Sequence, residues 1–172
     1  GKPHATIITW LGVYEAATPG TGAYDNPTVR LDADNEPQPD AVLRLEQGGS
    51  STISDDDYIE GAPELIVEIA ASSASYDLHD KLRVYRRNRV QEYMVWRTYS
   101  QKVDWFHLLN DDYVPFQPDA SGVIQSQVFP GLWLATTALI DNHSAQVLAT
   151  VQEGIASPDH ETFVQRLNSF SQ

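Results

Sequence analysis

No cysteine occurs in the 172 residues. Disulfides and thiolate metal sites are therefore excluded outright, and the chain suits a reducing compartment such as the cytoplasm. No apolar run approaches the roughly 18 residues that a membrane-spanning helix needs. The opening GKPHATIITW lacks the charged, apolar and small-residue order of a signal peptide. Basic residues are also scarce, 11 against 24 acidic ones, for a net charge of -13. That balance repels nucleic acid at long range and counts against tight, non-specific DNA binding. The scarcity is uneven: Lys81, Arg83, Arg86, Arg87 and Arg89 crowd into one short stretch, while Asp55, Asp56 and Asp57 gather elsewhere. The expected molecule is polarised, with one basic helix on an acidic body.

What is present describes an ordinary globular chain. Apolar content of 41% and charged content of 20% are typical. A chain of this length buries a real core, and residues 1–172 are expected to form one domain. Ile7, Ile8, Leu11 and Tyr14 recur at helical spacing in HATIITWLGVYEAA, and Thr18, Pro19, Gly20 and Gly22 end that helix. TVRLD (28–32) and DAVLRL (40–45) read as strands, separated by a polar turn, and 46–63 as a long polar loop. ELIVEIAA (64–71) is the most apolar strand. Ser72, Ser73 and Ser75 offer caps for a helix over about 76–88. QEYMVWR (91–97) is a further strand, KVDWFHLL and DYVPFQP form a hairpin around Asn110-Asp111, and GVIQSQVF is another strand. Two helical stretches, HSAQVLATVQEGIA and HETFVQRLNSF, occupy about 143–172. The order implies a mixed α/β fold, a central sheet flanked by helices.

The chemistry concentrates in PELIVEIAASS (63–73). Side chains alternate across a strand, so Leu65, Val67, Ile69 and Ala71 share an apolar face and Glu64, Ile66, Glu68 and Ala70 share the other. A carboxylate within such a strand is costly unless something compensates it. Asp40, Val42 and Arg44 share a face of the preceding strand, so neighbouring strands in suitable register would bring Asp40 to Glu68. Two adjacent carboxylates repel, and a divalent cation removes that repulsion. Mg²⁺ takes one or two carboxylates plus waters and substrate phosphate, and the Ile69 carbonyl would be a natural further ligand. Asp77, Lys81 and Tyr85 follow at i, i+4 and i+8, which places a lysine on the same helical face. That lysine could position water or steady phosphate charge.

Each residue also has a plain structural reading. Glu68 alone could be a core glutamate paired with Arg44 or another cation. Asp40 alone could be a turn residue after Pro39, and Lys81 a surface lysine or the partner of Asp77. The arginines could be a solvated face.

Together, Pro39-Asp40, the strand from Glu64 to Ser73, Asp77, Lys81, Tyr85 and Val90-Gln-Glu-Tyr-Met-Val95 resemble the putative restriction endonuclease family of the PD-(D/E)XK nuclease superfamily. The resemblance runs from about His4 to Leu134. It implies a restriction-endonuclease-like fold, with Asp40 as the metal-binding aspartate and Glu68 as the acidic residue of the next strand. The usual lysine two residues beyond would fall on Ala70, so the resemblance points to Lys81 on the following helix, with Glu64 as a secondary metal candidate. Members carry an acidic residue and a glycine before the first helix, and the resemblance implies that this segment is missing here.

The expected activity is Mg²⁺- or Mn²⁺-dependent DNA endonuclease, with Asp40 and Glu68 on the metal, Lys81 orienting water, and Arg83 to Arg89 on the DNA backbone. A homodimer would supply two active sites for two strands. The rival expectations are a nuclease acting on RNA or structured DNA, and a nuclease-fold interaction module to which Trp105, Phe106 and Trp133 could contribute, although core is the better reading of these aromatics and a homodimer interface another.

Overall fold

The computed structural model describes residues 1–71 and 75–171. The expected caps Ser72 and Ser73 lie outside the described residues. The first helix, α1, spans Lys2–Ala16 and buries Ile7, Trp10, Leu11 and Tyr14. That i, i+3, i+4, i+7 stripe is what an amphipathic helix needs to cover a sheet.

Two short strands follow, β1 (Thr21–Asp25) and β2 (Val29–Arg30). The first was read as a helix stop, because Gly, Ala and Asp are poor strand formers. It exists because β3 (Ala41–Leu45) pairs with it antiparallel. Residues 46–63 are not wholly loop: β4 (Ser51–Ile53) and β5 (Ile59–Gly61) form a hairpin around the acidic turn, and β2 adds to β5 in parallel. Strands of three residues fall below what alternation can reveal.

The strand β6 (Leu65–Ala70) occupies the centre. Beyond it, the expected single helix is broken into α2 (Ser75–Leu78) and α3 (Asp80–Arg87); nothing in the sequence explains the break. The strand β7 (Glu92–Arg97) lies parallel to β6, and β8 (Lys102–Leu109) and β9 (Asp112–Pro115) form the expected hairpin. The six-stranded sheet runs β1-β3-β6-β7-β8-β9, with β6 and β7 its one parallel pair. It is a mixed sheet, as expected.

GVIQSQVF contributes only β10 (Val123–Gln125), paired with β11 (Trp133–Ala135). The expected strand stops early for a visible reason. The Gln127 and Val128 amides donate to the buried Glu92 carboxylate, at 2.8 and 2.9 Å, instead of joining a ladder. The helix α4 (Thr136–Ile140) precedes the two expected C-terminal helices, α5 (Ser144–Ile155) and α6 (Pro158–Asn168). Ser157 caps the latter by accepting from the His160 amide.

Strand alternation splits the core in two. Leu65, Val67, Met94 and Trp105 pack with α1, α5 and α6 on one face of the sheet. Ile66, Ala70, Tyr93 and Val95 pack with Tyr85 of α3 and with β2 and β5 on the other. A sheet buried on both faces explains why ELIVEIAA is almost continuously apolar. Among the described residues no helix is long and apolar enough to cross a membrane.

Candidate functional site

Asp40 stands immediately before β3. The antiparallel register pairs Ala41 with Val67 and Val42 with Ile66, so one further step brings Asp40 to Glu68. Two hydrogen bonds fix that approach. The Asp40 amide donates to Glu68 Oε1 at 3.3 Å, and the Ile69 amide donates to Asp40 Oδ2 at 2.7 Å. The two carboxylates thus interlock through each other's backbone. The Ile69 carbonyl projects from the same strand edge as its amide, beside Asp40.

Glu68 faces the side of the sheet covered by α3. Lys81 Nζ donates to Glu68 Oε2 at 2.9 Å, and the Tyr85 hydroxyl donates to the same oxygen at 2.9 Å. Lys81 Nζ also lies 3.2 Å from Asp77 Oδ1, so the i, i+4, i+8 series converges despite the break between α2 and α3. The three residues named from sequence, Asp40, Glu68 and Lys81, therefore meet, drawn from two adjacent strands and one helix.

Exposure is graded across the cluster. Glu68 is 3% exposed, whereas the side chains of Asp40 and Lys81 are 31% and 24% exposed. The inner carboxylate is sealed and its partners reach the surface. A cavity of about 280 Å³ meets the cluster at Lys81 and Tyr85 and is lined further by Tyr76 and by three acidic residues, Asp34, Glu36 and Asp80.

The electrostatics follow from that burial. Desolvation pushes the Glu68 carboxyl up to about 6, although Lys81 and Tyr85 favour its charged form. Desolvation lowers the Lys81 pKa, but Glu68 and Asp77 outweigh it, and the net shift is upward. Lys81 is accordingly a cation at neutral pH, a donor rather than a proton acceptor. Burial, then the Glu68 charge, holds the Tyr85 hydroxyl far above its usual range, so it too remains a donor.

A divalent cation suits this donor set. Glu68 is a buried carboxylate whose charged state is strained, Asp40 is a second carboxylate beside it, and the Ile69 carbonyl edge is adjacent. Among the described residues no group of three or more His, Asp or Glu side chains could hold a metal. Two carboxylates completed by water and phosphate oxygens are the usual Mg²⁺ arrangement, in contrast to an all-protein cage.

Other sequence expectations change. Glu64 does not join the site. It lies four residues from Glu68, roughly 13 Å along a strand, and its oxygens accept the Leu45 and Ser50 amides at 2.7 and 3.2 Å. Arg44 is not the partner of Glu68; its guanidinium donates to the hydroxyl and carbonyl of Ser51. The arginines are not a bare basic face: Arg83, Arg86, Arg87 and Arg89 lie within 4 Å of Asp80, Asp112, Asp32 and Asp111 respectively. Trp105 is core, and its ring packs edge-on against Trp10.

Sequence reasoning missed His4 and Asp25. His4 Nε2 lies 2.5 Å from Asp25 Oδ1, and its Nδ1 lies 3.8 Å from Asp40 Oδ1. Asp25 arrives there because β1 pairs it with Ala41. With β1 unrecognised, nothing marked either residue.

A search among curated proteins finds no match. One solved structure with a similar fold is described as a putative nuclease of DUF820 from Anabaena variabilis. It is 14% identical, with 88% of this chain and 82% of that one covered and a TM-score of 0.56. The family model described as "Putative restriction endonuclease" (Uma2) matches residues 1–137, which include every residue of the Asp40, Glu68 and Lys81 cluster. On that match, the chain belongs to the Uma2 family, described as "Putative restriction endonuclease".

Proposed function

We propose that this chain is a divalent-cation-dependent DNA endonuclease, hydrolysing phosphodiester bonds where Asp40, Glu68 and Lys81 converge. The observation that carries the reading is the convergence itself: a sealed carboxylate, a second carboxylate and a cationic lysine from three elements, with the lysine lining an open cavity. Asp40 and Glu68 would hold Mg²⁺ or Mn²⁺. When bound, such an ion polarises the scissile phosphate and lowers the pKa of a coordinated water. The Ile69 amide keeps Asp40 turned toward Glu68. Tyr85 and Lys81 hold Glu68 Oε2, and among the described residues Oε1 has only the 3.3 Å contact from the Asp40 amide. Lys81, being charged, donates to a phosphate oxygen or orients the attacking water, and does not remove a proton.

Purified protein incubated with plasmid DNA is expected to cut it with Mg²⁺ or Mn²⁺ and to stop when EDTA is added. Asp40→Ala and Lys81→Met should each slow cleavage by roughly 100-fold or more, the scale of losing one preorganised electrostatic contact. Cleavage that persists in both variants at the native rate rules the site out. Running single-stranded DNA, duplex DNA and RNA side by side assigns the substrate.

A second reading, a nuclease-fold interaction module without cleavage, draws on the aspartates beside the arginines and the net charge of -13. Calorimetric titration with Mn²⁺ separates the two. Binding that disappears in Asp40→Ala favours the enzyme, and no binding by the native chain favours the module.

A further inference from the structure

We propose that His4 is a positioning residue for Asp40 and that Asp25 holds it in place, which makes the first turn of α1 part of the site. The inference rests on the reading of Asp40 as a cation ligand. Asp40 has two carboxylate oxygens, and they face different elements. Oδ2 is fixed by the Ile69 amide at 2.7 Å, and Oδ1 faces the His4 ring, whose Nδ1 is 3.8 Å away. The opposite ring nitrogen, Nε2, is 2.5 Å from Asp25 Oδ1. The imidazole is thus anchored on one side and aimed at Asp40 on the other.

The backbone supports the same grouping. Asp25 pairs with Ala41, the residue after Asp40, and the Asn26 amide donates to the Asp40 carbonyl at 3.0 Å. Asn26 adopts a left-handed φ of 55°, which turns the chain away just after Asp25. His4 has little structural work of its own. The core residues of α1 are Ile7, Trp10, Leu11 and Tyr14, no side chain caps the helix start, and the His4 side chain is 28% exposed. Among the described residues its polar partners are Asp25 and Asp40, and these concern the site rather than the core.

A carboxylate ligand binds well only when its oxygens are already directed at the ion. Loss of an outer partner that orients a ligand costs 10–100-fold in metal affinity or activity. A contact that is long in the free protein commonly tightens when the site is occupied. His4 therefore acts through Asp40. It limits rotation of the Asp40 carboxylate about the Oδ2 anchor on the Ile69 amide, and Asp25 limits rotation of the imidazole.

Titration calorimetry with Mn²⁺ alone tests the inference on the full chain, with thermal melting in EDTA as the folding control. His4→Ala is expected to weaken Mn²⁺ binding by about 10–100-fold without moving the melting temperature in EDTA. His4→Gln, which restores a side-chain donor, should recover part of the affinity, a rescue that a merely structural role would not give. Asp40→Ala serves as the reference for the underlying reading. If Asp40→Ala abolishes Mn²⁺ binding while His4→Ala binds as tightly as the native chain, the positioning role is overturned and the ligand role of Asp40 stands. If Asp40→Ala binds Mn²⁺ like the native chain, the ligand role falls and the positioning role falls with it.

Discussion

Glu68→Gln is expected to abolish cation-dependent cleavage and, in the same molecule, to stabilise the cation-free fold at alkaline pH. The first effect follows from replacing a charged oxygen with a neutral amide at the innermost ligand position. It should exceed the 10–100-fold that losing an outer partner costs. The second follows from burial. Burial pushes the Glu68 carboxyl up to about 6 in the folded chain, from an ordinary value of 4.5. The stability linked to this group is complete below about 4.5 and is lost as pH rises through about 6. By pH 8 the loss is about 2 kcal/mol, since one unit corresponds to about 1.4 kcal/mol. Glutamine keeps an acceptor for Lys81 and Tyr85 but cannot ionise. Urea unfolding in EDTA should therefore show the stability of Glu68→Gln relative to the native chain growing by about 2 kcal/mol between pH 4.5 and pH 8. A gap that stays constant with pH means that the Glu68 charge is not strained by its surroundings. Loss of activity coupled to a gain in stability is the expected behaviour of a site that holds a costly group for function.

Glu92→Ala should have the largest effect on stability and for the opposite reason. Glu92 is 1% exposed and accepts from Trp105 Nε1, the Ser126 hydroxyl and the Gln127 and Val128 amides, at 3.1, 2.8, 2.8 and 2.9 Å. Burial raises its pKa, and these donors oppose the rise. Alanine would leave four buried donors without an acceptor, each worth about 1–3 kcal/mol when stranded. Partial relaxation and water entry reduce the sum, so a loss of roughly 3–5 kcal/mol is expected, a large part of the 5–15 kcal/mol that holds a domain together. Glu92→Gln should fall between, because its amide group must face donors that its oxygen cannot serve. Chemical denaturation measures both. A loss under about 1 kcal/mol for Glu92→Ala would show that the four donors find other partners.

The two glutamates lie on neighbouring strands and face opposite sides of the sheet. Among the described residues Glu92 has four donors and no charged partner, within a sealed core. Glu68 has a lysine, a second carboxylate and a route to the surface. Buried carboxylates of the same type are told apart by these surroundings, and the surroundings are only partly visible in sequence.

The central strand was legible because period-two alternation fixes faces without any tertiary information, and Glu68 stood out on it as a charge among Ile and Val. Asp40 was legible because a strand begins just after it. Lys81 and Tyr85 were legible through helical spacing, even though the helix breaks between Asp77 and Lys81. Alternation gives the face but not the partner: Glu64 shares a strand face with Glu68, yet its partners are the Leu45 and Ser50 amides. The aspartates beside the arginines, Asp32, Asp111 and Asp112 among them, could not be anticipated because they come from distant turns. The His4–Asp25 pair was invisible because β1 is made of weak strand formers whose pairing with β3 is a tertiary event.

The most direct test is a crystal of the native chain grown with Mn²⁺ and measured at the manganese absorption edge. The account predicts one strong anomalous peak between the carboxylates of Asp40 and Glu68. A fully occupied peak elsewhere on the molecule, or none at the two carboxylates at saturating Mn²⁺, would contradict it.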